Sequence, residues 1–402
     1  MKLFRVGSVT AIIIGLLWGA VMAICVAIAL ALLTGAAVTP GLLAAMPAGA
    51  VAALVLVWRG QVLVSALIFA LLITGLRFGQ PFGIALLESP FSQAVALLAL
   101  SIGTAYALAK MLRGLPMGVL SRHEFEETVI RFLTGFGYVF FTLIVAIPFF
   151  VMVMTSLKSQ QSLMLNPLDY SLDLSKGREL FRSYVELFRD FNFGQYMLTS
   201  FIVSVMTVLL TLLFSVPGAY AVARLRFTGQ AVMSRSILLI YMVPMIVLAL
   251  PIYIVFSTVG LRNSLFGILL IYPVTTIPVA LYMLQGYFRG LPAEVEEAGL
   301  MDGLSRLQVI WKITLPLSLP AIASVSLFVF MIAWNEFLLA FMLLDDPSKF
   351  TLTRGVAMLN SSEIPRQYLM AGSVIATIPI MLIFLGLEKF MTKGLTAGSV
   401  KG

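Results

Sequence analysis

The longest uncharged stretch in this chain constrains its fold more than any other feature. Residues 6–58, between Arg5 and Arg59, contain no Asp, Glu, Lys or Arg. A helix needs about 20 apolar residues to cross the hydrocarbon core of a bilayer. The stretch therefore predicts two membrane helices, separated at Thr39-Pro40-Gly41. The apolar run from Val9 to Leu33 is longer than that of a cleaved signal peptide, so we expect it to be a retained helix.

The rest of the chain is also apolar enough for a membrane protein. It is 60% hydrophobic and 11% charged over 402 residues, whereas soluble domains carry about 25% charged residues. An open-ended segment in lipid can satisfy its backbone groups only as a helix. The sequence therefore predicts an all-α membrane protein with about ten transmembrane helices. The apolar segments are 9–34, 42–58, 62–79, 91–112, 130–155, 197–222, 234–256, 264–286, 318–343 and 369–391.

The distribution of basic residues predicts the orientation of these helices. With the N-terminus in the cytoplasm, 16 of the 26 Lys and Arg residues fall on the cytoplasmic side, as the positive-inside rule requires. An even number of spans places the C-terminus there as well. We expect a multi-pass protein of a bacterial inner membrane, in contact with membrane lipid. The net charge of +8 is then a topology signal and does not indicate nucleic-acid binding.

The loops suggest two parts with different roles. Residues 1–120 form a predicted extra module of four helices, and a charged connector follows at residues 120–127. We expect this module to be peripheral, so that its deletion leaves assembly intact. Residues 121–402 hold six helices with longer loops. In the loop 156–196, the apolar stripe of residues 179–190 predicts a helix lying on the membrane surface or on a partner subunit.

The predicted cytoplasmic loop 289–317 holds the strongest motif. Pro292 suits a first helical turn, and Glu294, Glu296 and Glu297 suit a helix N-terminus. Gly303 suits the end of the helix, where a positive φ is favoured. These residues predict a short helix between two membrane spans, with Leu315-Pro316 at the start of the next span.

The residues of this loop resemble the EAA loop of binding-protein-dependent ABC importer permeases. The resemblance is carried by Glu297-Ala298-Gly299, Asp302-Gly303, Ile313 and Leu315-Pro316. Gly299 replaces the second alanine of that pattern. In the family this loop forms a coupling helix that docks on the ATP-binding subunit. The resemblance implies that Glu297, Ala298, Gly299, Asp302 and Gly303 couple this chain to an ATPase.

The end of the chain makes the resemblance more specific. The resemblance as a whole covers about residues 128–402. Thr396-Ala397-Gly398-Ser399-Val400-Lys401-Gly402 resembles the tail of the G-type maltose permease subunit, which contacts the ATPase. This likeness implies a carbohydrate importer with a second, F-type permease subunit, a homodimeric ABC ATPase and a periplasmic sugar-binding protein. It implies a transport subunit rather than an enzyme. ATP is used by the partner ATPase, and no cofactor is bound by this chain. Sugars, polyols and glycerol phosphate all stay open as substrates.

Polar residues within the ninth apolar segment mark a second place of interest. Trp334, Asn335 and Glu336 offer an aromatic ring and hydrogen-bonding groups, and such groups in a membrane usually face a bundle interior or a water-filled path. They are candidates for the translocation path. The alternative is that Asn335 and Glu336 form a polar pair with a structural role, which makes hydrogen bonds to neighbouring helices or to the partner permease.

Other classes of protein fit the sequence less well. A self-sufficient channel or secondary transporter is the main alternative, but such proteins more often have several buried charges or inverted repeats. One cysteine, Cys25, and one histidine, His123, give no metal site and no nucleophile–base pair. The chain has no phosphate-binding G-x-x-x-x-G-K-[ST] loop, so the energy for transport must come from another polypeptide.

Overall fold

The computed structural model describes residues 5–34, 38–76, 90–165 and 174–396, which fold into helices joined by short connections. The prediction of an all-α membrane protein is confirmed. In this described part of the chain, eight helices are long and apolar enough to cross a membrane, and two shorter apolar helices accompany them. The chain divides into two compact units, Met1–Leu180 and Phe181–Gly402. The predicted division into a four-helix module of residues 1–120 and a six-helix core of residues 121–402 stays a prediction.

The first unit consists of four apolar helices followed by one long helix and a short one. Its helices are α1 (Gly7–Thr34), α2 (Leu42–Arg59), α3 (Val62–Leu76), α4 (Pro90–Met111), α5 (Arg122–Ser156) and α6 (Gln160–Leu165). Ser121 begins α5 with a capping box, since its hydroxyl accepts a hydrogen bond from the backbone N–H of Glu124 while the Glu124 carboxylate binds the Ser121 N–H. The predicted charged connector is therefore the first turns of α5.

Helices α1 and α2 pack backbone against backbone. A Cβ added at Gly15 would lie 2.3 Å from the carbonyl oxygen of Gly49, and one at Gly19 would lie 2.4 Å from that of Ala45. Buried alanines, among them Ala48 and Ala52, continue the contact. Small residues allow this approach because they have little or no side chain between the two backbones. Such close packing matters in a membrane, since lipid supplies no hydrophobic force that drives helices together.

The start of α1 is joined to the segment that precedes α5. Val6 and Val119 form an isolated antiparallel bridge. The N–H of Gly7 donates to the carbonyl of Gly118 at 2.7 Å. Farther along, the Trp18 ring lies edge-on to Phe132 of α5, with centroids 6.3 Å apart. No residue in the most apolar 18-residue window of α5 is buried in this structure, so α5 contacts its unit mainly through its first turns.

The second unit contains the remaining helices and all of the predicted loop motifs. Its α-helices are α7 (Arg182–Asp190), α8 (Phe193–Arg224), α9 (Gln230–Tyr241), α10 (Met245–Thr258), α11 (Leu265–Gly290), α12 (Ala293–Met301), α13 (Arg306–Val309), α14 (Leu315–Asn335), α15 (Leu338–Leu343), α16 (Leu352–Met358) and α17 (Arg366–Thr396). A π-helical segment, Ile310–Thr314, joins α13 to α14, and a 3₁₀ segment occurs at Pro347–Lys349. A further 3₁₀ segment, Leu174–Phe181, spans the boundary between the two units.

Two segments that the sequence predicts as continuous are broken. The seventh segment, 234–256, forms α9 and α10 with Pro244 between them, because proline has no N–H to donate and restricts the residue before it. The ninth segment, 318–343, forms α14 and α15. Glu336 has extended backbone at this break, with φ −64° and ψ 124°.

Polar side chains connect the long helices of the second unit. The hydroxyls of Thr211 on α8 and Thr276 on α11 lie 2.6 Å apart and are fully buried. Near the start of α8, the Ser200 hydroxyl accepts a hydrogen bond from the N–H of Leu352 at 2.7 Å. The predicted amphipathic helix forms as α7, and its Glu186 accepts a short hydrogen bond from the Tyr368 hydroxyl of α17. Polar contacts thus fix both the middle and one end of this unit.

Candidate functional site: the loop between α11 and α14

The loop of residues 289–317 folds as the sequence predicts. Pro292 precedes α12 as its N-cap, and Glu294 and Glu296 lie in the first turn. Asp302 ends the helix, and Gly303 has a φ of +85°, a conformation that a residue without Cβ adopts at little cost. Ser305 and Gln308 then form a capping box that begins α13. The predicted start of the next membrane helix at Leu315-Pro316 is confirmed, because α14 begins at Leu315.

A buried carboxylate ties α12 to the membrane helices. Glu296 is 9% exposed. It accepts hydrogen bonds from the Tyr220 hydroxyl of α8 at 3.2 Å and from the Thr314 hydroxyl at 3.0 Å. Its Oε1 lies 3.6 Å from Nε of Arg224, also on α8. We call Glu296, Tyr220, Arg224 and Thr314 the Glu296 cluster. A buried charge is tolerated when it is paired and hydrogen-bonded in this way.

Arg224 also holds the chain just before α12. One of its terminal nitrogens donates to the carbonyl of Leu291 at 2.6 Å. Leu291 is the residue between the end of α11 and Pro292. The end of α8 is therefore linked both to the entry and to the first turn of α12, which leaves this short helix little freedom to move independently.

Gly299 provides the second attachment of α12. It is buried, and a Cβ at this position would lie 2.6 Å from Cδ1 of Ile313 and 3.3 Å from Cγ2 of Val309. The helix thus packs directly on α13 and the π-helical segment. The departure from the alanine of the EAA pattern has a local reason, because the Ile313 side chain occupies the space that a methyl group would need.

The opposite face of α12 is open to solvent. Glu297, Ala298, Asp302 and Gly303 are exposed, and Met301 is 87% exposed. Of the five residues that the resemblance marks for ATPase coupling, four therefore lie on one accessible surface and Gly299 lies beneath it. Their coupling role stays a prediction, and their arrangement gives an acidic and apolar face on a helix that is anchored from behind.

The motif alone did not single out the Glu296 cluster. The sequence marks three glutamates in the first turns of α12, and the resemblance points to Glu297 as the important one. The helical phase decides which of them is buried, and Glu296 shares a face with Gly299 at a spacing of three residues. Tyr220 and Arg224 are four residues apart on α8 and therefore lie on the same face of that helix. This spacing is the sequence signal for a polar face at the end of α8 that could receive Glu296.

The predicted path residues have three different surroundings. Trp334 is 3% exposed, stacks on Phe330 at 5.7 Å and donates to the carbonyl of Ala376 on α17 at 3.1 Å. Glu336 accepts from the N–H groups of Leu339 and Ala340 at 2.8 and 3.1 Å, so it caps the N-terminus of α15. Asn335 is the exposed member of the three.

The predicted ATPase-contacting tail lies almost entirely outside the described residues. Thr396 is the last residue of α17. Ala397, Gly398, Ser399, Val400, Lys401 and Gly402 fall beyond the described part of the chain.

This chain is similar to a known protein family and to a solved transporter structure. Residues 215–396 match the family described as binding-protein-dependent transport system inner membrane component. This range begins near the end of α8 and includes the whole loop between α11 and α14. A solved structure of a bacterial ABC transporter involved in the import of the acidic polysaccharide alginate covers 67% of this chain and 98% of its own, with a TM-score of 0.55 and 24% identity. That likeness shows a shared fold.

Two relatives establish the family. The inner membrane ABC transporter permease protein YcjP of Escherichia coli is 35% identical over 281 residues, which is 69% of this chain and 99% of that protein. The trehalose/maltose transport system permease protein MalG of Thermococcus litoralis is 33% identical over 282 residues, again 99% of that protein. The chain therefore belongs to the family of binding-protein-dependent transport system inner membrane components and is an ABC transporter permease.

Proposed function

We propose that this chain is a membrane-spanning permease subunit of an ABC importer for a carbohydrate and that α12 couples it to ATP hydrolysis on a separate subunit. The observation that carries the proposal is the construction of α12. Its exposed face is free for a soluble partner, while the buried Glu296 binds groups from α8 and from the start of α14. The substrate class is supported by the trehalose and maltose transport for which the Thermococcus relative is named.

Force on α12 reaches the membrane helices through the Glu296 cluster. Closure of an ATPase dimer would displace the exposed face formed by Glu297, Ala298 and Met301. Because Glu296 is held by Tyr220, Arg224 and Thr314, the end of α8 and the start of α14 move with it. Buried, charge-assisted hydrogen bonds are suited to this task, since a buried group left without its partner is costly.

The assembly that this mechanism needs has four kinds of subunit besides lipid. We propose a second, F-type permease, a homodimeric ABC ATPase that binds the ATP and a periplasmic sugar-binding protein around this chain. The loop between α11 and α14 then lies in the cytoplasm of a bacterium, with both termini on that side of the inner membrane. The tail Thr396–Gly402 reaches the ATPase.

The translocation path passes the break between α14 and α15. Asn335 is exposed there and offers an amide to a passing hydroxyl group. Trp334 and Glu336 maintain the break, since the indole binds α17 and the carboxylate caps α15. These contacts support a path role in which Asn335 meets the substrate and its two neighbours position it.

A pull-down tests the proposed function. The tagged full-length chain is purified in mild detergent, its partners are identified and ATPase activity is measured. We expect an ATPase and a second permease to copurify. Glu297→Ala should weaken ATPase coupling, whereas the matched change Glu363→Ala, at an exposed residue near the opposite end of the unit, should not. A chain that purifies alone, with no ATPase, would favour a self-sufficient channel or secondary transporter.

We further propose that residues 1–120 are a peripheral module. Their removal exposes Phe132 and other side chains of α5 to lipid, which is as apolar as the contacts that are lost. A chain that begins at residue 121 should therefore still copurify with the ATPase. Failure of this shortened chain to assemble, at normal expression, would contradict the proposal.

A further inference from the structure

Arg354 of α16 is a cation without a counter-charge in the described part of the chain. Its guanidinium carbon lies 4.5 Å from the ring centre of Phe341 and 4.6 Å from that of Phe350. Its Nε is buried and has no hydrogen-bond partner, and no described carboxylate lies within 4.0 Å of it. Two aromatic faces stabilise a cation, but the donors of a guanidinium also require acceptors when they are shielded from water.

Exposed side chains lie near Arg354. Phe341 is 48% exposed and Phe337 is 42% exposed, and their ring centres are 5.3 Å apart. Asn335, two residues before Phe337 in the chain, is also exposed. The hydroxyl of Thr353 donates to the carbonyl of Glu336 at 2.6 Å, which fixes α16 to the break between α14 and α15. We call Asn335, Phe337, Phe341 and Arg354 the Arg354 surface.

This surface does not suit contact with lipid. Asn335, Phe337 and Phe341 lie in the predicted membrane segment 318–343, at a break where the backbone of Glu336 is extended, and Arg354 lies just beyond the end of that segment. Irregular backbone at membrane depth is tolerated when it is buried in protein or lines a water-filled cavity. The exposed amide of Asn335, which lies within that segment, obeys the same rule. The Arg354 surface therefore faces either another subunit or the water-filled path.

We infer that the Arg354 surface is a substrate subsite that recognises an anionic group, such as a carboxylate, on the transported sugar. The inference rests on the proposed transport function and narrows its substrate class. A guanidinium binds a carboxylate through two parallel hydrogen bonds. The exposed rings of Phe337 and Phe341 can cover the apolar face of a sugar ring, and the Asn335 amide can bind a hydroxyl. If Arg354 bound only an Asp or Glu of another subunit, the exposed rings and the amide of this surface would have no role. A sugar with an anionic group would use the guanidinium, the rings and the amide together.

Cysteine labelling of the assembled transporter tests this inference. Asn335→Cys is introduced into a Cys25→Ala background, which leaves a single thiol in this chain, and labelling is read on this chain after the subunits are separated. The complex purified through the tagged chain is labelled with a negatively charged and a positively charged methanethiosulfonate of similar size. We expect the negative reagent to react faster. A nearby positive charge speeds the negative reagent and slows the positive one, even where water screens it, so Arg354→Gln should reduce the preference by at least about threefold.

Protection by sugars gives the substrate readout. D-glucuronate should slow the labelling more than D-glucose at equal concentration, and Arg354→Gln should abolish that difference. The control Arg262→Gln removes a cation that is paired with Asp345 at 2.6 Å and should change neither result. Arg354→Lys should keep part of the charge preference, because it keeps the charge without the planar pair of donors.

Several outcomes would overturn the inference. They are a thiol that reacts with neither reagent, a charge preference that survives Arg354→Gln, and equal or absent protection by the two sugars. Loss of subunits from the Arg354→Gln complex would show that the arginine pairs with an acid of a partner protein. Failure of the proposed function is distinct, because then no ATPase copurifies at the start of the experiment.

Discussion

The two units of this chain use opposite means to hold their helices together. In the first unit, α1 and α2 meet through glycines and alanines, and a Cβ at Gly49 would lie 2.2 Å from the carbonyl oxygen of Gly15. In the second unit, buried polar side chains join the helices, from the Thr211–Thr276 pair to the Glu296 cluster. Close contact between backbones distinguishes the first unit, whereas the second unit adds buried hydrogen bonds between side chains to its apolar packing.

The difference indicates where movement can occur. Close packing of small residues has a single good arrangement, since separating the helices loses every contact at once. Hydrogen bonds among side chains can be exchanged for others as helices tilt. Polar groups within a membrane are costly and mark functional sites. We therefore assign the moving parts to the second unit and a static role to the helix packing of the first.

The largest expected effect is that of Glu296→Ala. The change leaves the Tyr220 hydroxyl without its acceptor and Arg224 without its counter-charge, and removing one partner of a buried pair costs about 3–5 kcal/mol. We expect a marked fall in thermal stability in detergent and loss of ATPase-coupled transport. Glu294→Ala, an exposed neighbour on the same helix, should change stability by less than about 0.5 kcal/mol. Equal effects of the two variants would remove the distinction between the buried and exposed faces of α12.

A methyl group in the backbone contact of the first unit should have the next largest effect. Gly49→Ala places Cβ against the carbonyl oxygen of Gly15. This oxygen belongs to the backbone of α1, so it cannot move away as the end of a flexible side chain could. We expect a loss of about 1–3 kcal/mol in unfolding free energy, with normal ATPase coupling in the molecules that stay folded. Gly75→Ala on α3 meets nothing within 4 Å and serves as the matched control. A loss of coupling in folded Gly49→Ala protein would show that the first unit takes part in movement.

Gly299→Ala should have a smaller effect, because the atom it meets is the end of a flexible side chain. The gain in helix propensity is about 1 kcal/mol and offsets part of the contact with Ile313. We expect reduced ATPase coupling with a change in stability below about 1 kcal/mol. Ile313→Val removes Cδ1, so the double variant should recover coupling. A double variant no better than Gly299→Ala alone would contradict the packing explanation.

The smallest expected effect concerns pH at the opposite end of the second unit. The hydrogen bond from Tyr368 and the contact with Arg182 lower the pKa of Glu186 below its ordinary value of 4.5. Its stabilising contribution is therefore present above pH 4.5 and is lost as the pH falls through the lower pKa of the folded state. Thermal unfolding from pH 6 down to about pH 3 should show a steeper loss for the wild type than for Glu186→Gln. Glu179→Gln, at an exposed glutamate of the preceding 3₁₀ segment, should follow the wild type.

The sequence predicts the secondary structure well and the tertiary contacts less well. Apolar length and turn residues are local signals, so the spans, α7 and α12 with its positive-φ Gly303 could be predicted. The break at Glu336 could not, because a capping carboxylate there and a polar residue within a longer helix look alike in sequence. The burial of Glu296 rather than Glu297 depends on how α12 rotates against α8, which is set by tertiary packing. That Arg354 has no described carboxylate nearby could not be predicted either, because the distances between charged side chains depend on the tertiary structure.

Crosslinking from the exposed face of α12 tests the central claim most directly. Ala298→Cys is placed in a Cys25→Ala background, and the assembled transporter is treated with a short thiol-to-amine crosslinker. Asn360→Cys, at an exposed residue near the other end of the unit, is the control. We expect a crosslink from residue 298 to the ATPase subunit, with a yield that changes when ATP is added, and none from residue 360. An assembled, active transporter with no crosslink from residue 298 to the ATPase would contradict the claim that α12 is the coupling element.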